Sequence, residues 1–180
     1  MRLSVVVLLL GALLIAGCAK NTQWSKYTSR EGGFSIYMPS EITKSEKREV
    51  TPFGKQTTHF ITWKPSSFAI DKFKLFQVSY TDCPARYTTD SAHLNSILDS
   101  CIDLRKMDFN ESKDIESQVI ELNGYPGRAF IYDEPRGTTI AIVKICIVNN
   151  KKYDVTVVAK KSYPTNNEIA AFFNSFQVLK

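Results

Sequence analysis

From Thr138 to Val148 the chain is apolar at nearly every position, interrupted only by Lys144. A strand that is apolar on both faces has one stable place, the middle of a sheet covered on both sides. That run therefore demands a layered domain with material above and below it. Asn149-Asn150-Lys151 follows as a turn, and Tyr153 to Ala159 reads as the next strand.

The rest of the chain supplies the layers. Phe34 to Met38 alternates with period two and stops at Pro39, which predicts a strand burying Phe34, Ile36 and Met38 behind a Gly32-Gly33 turn. Lys44 to Thr51 and Gln56 to Trp63, joined at Pro52-Phe53-Gly54, predict a hairpin. Its many charges suit an exposed edge that must not pair with other chains. Phe73 to Thr81 alternates again, with Phe76, Val78 and Tyr80 on one face. Gln118 to Leu122 and Arg128 to Tyr132 flank the turn signal Asn123-Gly124-Tyr125-Pro126-Gly127, a second hairpin.

Two segments change period. Leu94, Ile97, Leu98, Cys101 and Ile102 fall at three- and four-residue spacing behind the cap formers Thr88 to Ser91, which predicts a helix of about five turns. Thr165 with Glu168 forms a capping box that opens a second helix burying Ile169, Phe172, Phe173 and Phe176. Gln177 to Lys180 is expected to return to the sheet. The sum is an α+β domain over residues 24–180: a meandering antiparallel sheet of about six to eight strands with two main helices.

Ahead of this domain stands a leader. Arg2 gives a positive start, Val5 to Ile15 is apolar, and Ala16-Gly17 precede Cys18. The apolar stretch is too short to span a bilayer with margin, and small residues stand where an anchor would carry positive charge. It reads as a cleaved signal peptide over residues 1–17. The pattern resembles that of bacterial lipoprotein precursors, which implies that Cys18 is lipidated and becomes the first residue of the mature chain. Ala19 in place of Asp implies an outer-membrane position, facing the periplasm, if the source is Gram-negative. Residues 18–23 are then the lipidated cysteine and a short tether, and Ala19 to Gln23 reaches at most ~17 Å. Trp24 and Tyr27 open the domain among Lys20, Lys26 and Arg30, either as interfacial aromatics or as a strand turning its Trp into the core.

Loss of Arg2 takes the formal net charge from +5 to +4, a mild basic excess spread along the chain. No block of Lys and Arg interleaved with aromatics marks a nucleic-acid surface. Attraction to anionic headgroups or acidic envelope polymers is the natural use of such a charge. With Cys18 spent on lipid, Cys83, Cys101 and Cys146 remain, an odd number in a compartment that permits disulfides. A Cys83–Cys101 bond, a bond to Cys146 and no bond at all stay open, and closing the first loop would contribute about 3 kcal/mol.

Chemistry-bearing patterns are sparse. No Gly-x-Ser-x-Gly elbow exists, and neither His59 nor His93 has a ligand at i+3 or i+4 that would complete a metal site. Asp82, Asp90 and Asp133-Glu134 are turn carboxylates that either gather at one sheet end or are simply solvated. Cys83, followed by Pro84, is an accessible thiol without an adjacent base. Tyr125 and Arg128, in the glycine-rich turn, are the candidate partner contacts, with a plain surface charge as the alternative for Arg128.

Trp24 through Pro39, the Thr51-Pro52-Phe53-Gly54 turn, Val78-Ser79-Tyr80-Thr81-Asp82, Asn123-Gly124-Tyr125-Pro126-Gly127-Arg128 and Phe172-Phe173-Asn174-Ser175-Phe176 together resemble exported proteins of the PsbP-like superfamily. The resemblance implies an α/β/α sandwich around an antiparallel sheet and a part in protein binding or complex assembly. The superfamily includes a thylakoid-lumen subunit of photosystem II and a nuclear protein that binds the Ran GTPase. It implies no enzyme, metal or cofactor beyond the covalent lipid on Cys18. The function expected is a non-catalytic envelope module that binds or stabilises another protein. A small-ligand carrier or stress sensor with a pocket between sheet and helix is the second reading.

Overall fold

The structure, a computed structural model, describes residues 23–51, 54–66, 72–84, 91–108, 116–134, 137–162 and 167–179. The leader, Cys18 and the Thr165 cap lie outside them. Among the described residues, ten strands and two helices follow in the order β1 (Trp24–Ser29), β2 (Phe34–Pro39), β3 (Thr43–Thr51), β4 (Gly54–Trp63), β5 (Phe73–Asp82), α1 (Ser91–Asp108), β6 (Glu116–Leu122), β7 (Tyr125–Asp133), β8 (Thr139–Val148), β9 (Lys151–Lys160), α2 (Asn167–Asn174) and β10 (Gln177–Val178).

The strands divide into two antiparallel sheets. Seven form the large sheet in the order β3-β4-β5-β9-β8-β7-β6, and three form a small one, β1-β2-β10. The apolar run becomes β8, buried at every position but Lys144, as its two-sided apolar character requires. Its alternate residues feed two separate cores. Ile140, Ile142, Cys146 and Val148 join Phe34, Ile36 and Met38 of β2 and Ile169, Phe172 and Phe173 of α2 on one side. Ala141, Val143, Ile145 and Ile147 meet Leu98 and Ile102 of α1 on the other.

The layers thus differ from an α/β/α sandwich. One face of the large sheet carries α1, but the opposite face carries the small sheet together with α2. The reason is non-local: β2 pairs with β10 through Phe34↔Val178 and Ser35↔Gln177, which draws both ends of the domain into a sheet of their own. The first core is closed by rings, with Phe34 against Phe176 at 5.7 Å, Phe76 against Phe172 at 5.0 Å and Tyr153 against Phe176 at 5.5 Å between centroids.

Two turns are tighter than the sequence predicts. In the β6-β7 hairpin only Asn123 and Gly124 turn, both at positive φ (55° and 81°), and Leu122 pairs directly with Tyr125. That is the two-residue turn whose twist matches the strands, so Tyr125, Pro126 and Gly127 belong to β7. Asn149 and Asn150, at φ 50° and 60°, make the same kind of turn between β8 and β9.

Candidate functional site

The two sheets part at their β1 and β3 ends and leave an open groove of about 350 Å³, lined by Tyr27, Ser29, Glu31, Lys44, Glu46 and His59 among others. One cross-strand row of the large sheet supplies Glu46, His59 and Tyr80 to its floor and runs on into the core. Glu46 pairs with His59, His59 with Tyr80, Tyr80 with Tyr153 and Tyr153 with Cys146. Burial deepens along that row, from a Glu46 side chain 45% exposed and a His59 side chain 28% exposed to Tyr80 at 4% and Cys146 at 0%.

The His59 ring lies flat on Tyr80, with centroids 4.7 Å apart and planes 11° from parallel. Its Nδ1 faces Glu46 at 4.0 Å, and its Nε2 faces Glu31 at 3.9 Å. Glu31 comes from the β1-β2 turn, so the imidazole stands between a carboxylate of each sheet. The turn is pinned from beneath. Tyr153 Oη donates to the carbonyl of Gly32 at 2.8 Å, and Gly32 N donates to Ser29 Oγ at 2.9 Å. A Cβ on Gly32 would stand 2.7 Å from the Phe34 ring, so that position admits only glycine without a shift. Burial, reinforced by the Glu31 charge, pushes the Tyr80 hydroxyl up to about 12. Burial also pushes Tyr153 up to about 12.

A histidine between two carboxylates beside stacked rings can hold a polar or charged guest, or hand a proton to one. Among the described residues no group of three or more His, Cys, Asp or Glu side chains is disposed to hold a metal ion. The sequence alone gives His59 no near ligand, because Glu31 reaches it across the fold. Glu46 was within reach of reasoning: pairing Thr51 with Gly54 across the turn sets Glu46 opposite His59.

Arg128 is not the exposed contact expected. It is 5% exposed and lies on the α1 face, where Nε donates to Asp99 at 2.7 Å, Nη2 to Asn95 Oδ1 at 3.1 Å and Nη1 to the Gly127 carbonyl at 3.0 Å. Because the turn ends at Gly124, Arg128 is a strand residue sharing its face with Phe130 and Tyr132. Tyr125 is half-buried against the first core.

Among the described residues no disulfide joins Cys83, Cys101 or Cys146. Cys83 follows β5 and donates its backbone N–H to Asn150 at the β8-β9 turn, whereas Cys101 packs on the α1 core. Burial holds the Cys83 thiol above its ordinary value, though Lys152 pulls the other way, and Cys146 is pushed up to about 12. Neither thiol is activated.

The turn carboxylates do not gather. Asp82 pairs with Lys151 at one end of the large sheet, while Asp133 pairs with Lys161 and Glu134 with Lys74 at the other. Asp90 lies outside the described residues.

No model of a known protein family matches the sequence, and no curated protein matches it. Solved structures do. The solution structure of cyanobacterial PsbP (CyanoP) from Synechocystis sp. PCC 6803 is similar with a TM-score of 0.59 at 9% identity, over 87% of this chain and 93% of that one. The fold is PsbP-like. A protein from Bacteroides thetaiotaomicron VPI-5482 is similar with a TM-score of 0.50 at 16% identity, over 88% of this chain but 49% of that one. At such identities the PsbP-like likeness concerns the backbone arrangement and no individual side chain.

Proposed function

We propose that this chain is a lipid-anchored envelope protein whose PsbP-like domain holds another protein near the membrane without catalysing a reaction. Met1 to Cys18 supports the anchor: a short apolar run ending in Ala16-Gly17-Cys18 is the pattern of a cleaved signal with a lipidated cysteine. Diacyl and N-acyl chains on Cys18 would make attachment effectively permanent, since each buried CH₂ contributes roughly 0.8 kcal/mol. Ala19 supports an outer-membrane position facing the periplasm in a Gram-negative host. The PsbP-like fold, with the part in binding and assembly that the resemblance implies, points the same way.

The observation that carries the binding role is the groove at the sheet junction. It is open, charged on both sides and floored by stacked rings, the make-up of a surface that receives a protein segment. The space between sheet and α2, where a small-ligand pocket would sit, is occupied by Phe76, Phe172 and Phe176.

Two experiments test this. A photo-crosslinking residue at Ser45, exposed beside the groove, is expected to trap one envelope protein in intact cells, and His59→Ala with Glu46→Ala is expected to abolish the product. The same probe at Ser100, exposed on α1, should trap none. Equal products from both positions, or survival of the Ser45 product in the double variant, would sink the groove as the docking site. Separately, Cys18→Ala is expected to move the protein from the membrane to the soluble fraction.

A further inference from the structure

We propose that the outer face of the small sheet, at the start of β1, rests on an anionic bilayer surface through Trp24, Lys26 and Tyr37; this builds on the lipid anchor proposed above. Lys26 and Tyr37 are register partners across β1 and β2, and Trp24 lies two residues before Lys26 on the same face. The Trp24 and Tyr37 rings stack at 5.6 Å and 27°. Tyr37 is 42% exposed, and Lys26 is exposed. Both stand opposite to Phe34, Ile36 and Met38, which point into the core. Trp24, half-buried, wraps the end of the sheet edge-on to Phe76 at 5.1 Å, so its stack with the exposed Tyr37 is fixed to the core from behind.

The position of this face relative to the anchor selects its occupant. Ser40 N donates to the Gln23 carbonyl at 2.7 Å, so the chain is held on the small sheet from Gln23 onward. From Cys18 to that point the chain reaches only ~17 Å. The start of β1 is therefore the part of the domain least able to leave the lipid surface. Trp and Tyr favour the headgroup level, where an apolar ring body and a polar tip are both satisfied, and a neighbouring lysine gains from anionic headgroups. Contact on this face also leaves the groove, which opens between the sheets, free for a partner.

The chain has two tryptophans, and Trp63 is 6% exposed, so Trp63→Phe leaves Trp24 as the sole reporter. Acylated protein purified from its host's membranes is reconstituted into phosphatidylcholine vesicles containing phosphatidylglycerol and nitroxide-labelled lipid. A nitroxide near the headgroup is expected to quench Trp24 roughly twofold more than one deep in the acyl chains. Lys26→Glu should reduce that quenching, and salt should reduce it in the parent protein. Should Trp63→Phe fail to fold, the difference between the parent and Trp24→Phe reads the same quantity. Vesicle-bound protein with unquenched Trp24 overturns this orientation and leaves the anchor standing. Trp24 shielding that rises with protein density on the vesicle assigns the face to a second copy and overturns it equally. Purified protein without fatty acid on Cys18 overturns the anchor, and this inference with it.

Discussion

Arg128 on β7 and Asp99 on α1 share a 2.7 Å hydrogen bond, yet the guanidinium end is 6% exposed and the carboxylate end 59%. Asp99→Ala leaves a buried cation with only the Asn95 and Gly127 oxygens, whereas Arg128→Ala leaves a carboxylate that water can solvate. We expect Asp99→Ala to cost about 2 kcal/mol, as much as or more than Arg128→Ala, despite lying at the surface. Urea unfolding of both variants and of the pair checks this, and a loss for Asp99→Ala below about 0.5 kcal/mol would show that the bridge does not hold α1 to the sheet.

Gly127 is a steric requirement of the β7-β8 pairing. A Cβ there would lie 2.5 Å from the Ile145 carbonyl oxygen, a backbone atom that cannot swing aside. Gly127→Ala is expected to cost about 2–3 kcal/mol, measured by thermal or urea unfolding. Gly124→Ala, whose Cβ meets only Glu121 Oε1 at 3.9 Å but must adopt φ 81°, should cost about 1 kcal/mol. Equal losses at the two sites would place Gly127 outside a close contact.

Tyr80 and Tyr153 both sit near 12 in the folded protein, against an ordinary value of 10.0. Their folded values are raised, so the stability that they contribute is complete below pH 10 and is lost as the pH climbs toward 12. Tyrosinate absorbance should show Tyr80 and Tyr153 titrating late, coincident with falling stability to urea. Tyr153→Phe should remove one late titration and, with it, the bond to the Gly32 carbonyl.

The different burial of Cys83, Cys101 and Cys146, none of them in a disulfide, predicts an order of modification. Cys146, at 0% exposure, should resist iodoacetamide until the protein unfolds, while Cys83 and Cys101 react slowly in the native state. Mass spectrometry without reductant should find all three alkylated in denaturant. A Cys83 rate well above that of a free cysteine peptide at pH 7 would contradict the burial that raises its pKa.

The elements legible in the sequence are those in which burial imposes a period. Phe34, Ile36 and Met38 alternate into the core as read, and Ile169, Phe172 and Phe173 of α2 are buried as their spacing requires. The division into two sheets was not legible, because the Phe34↔Val178 pairing joins residues at opposite ends of the domain and leaves no local mark. Arg128 was misplaced for a different reason: glycine and proline nearby suggested a turn, although Arg128, Phe130 and Tyr132 recur at period two on the buried face. His59 was set aside because half of its setting, Glu31, is tertiary.

The pairing of β2 with β10 also sets a timetable. Under the export proposed above, amino end first, β1 and β2 emerge early, but their third strand arrives only after everything between has crossed. Phe34 and Ile36, both 0% exposed in the finished domain, must wait for Phe176 to arrive. Contacts between such remote segments close slowly. During that interval the chain offers unsheltered aromatic surface, and in the envelope location proposed above an escorting factor would find its binding window there.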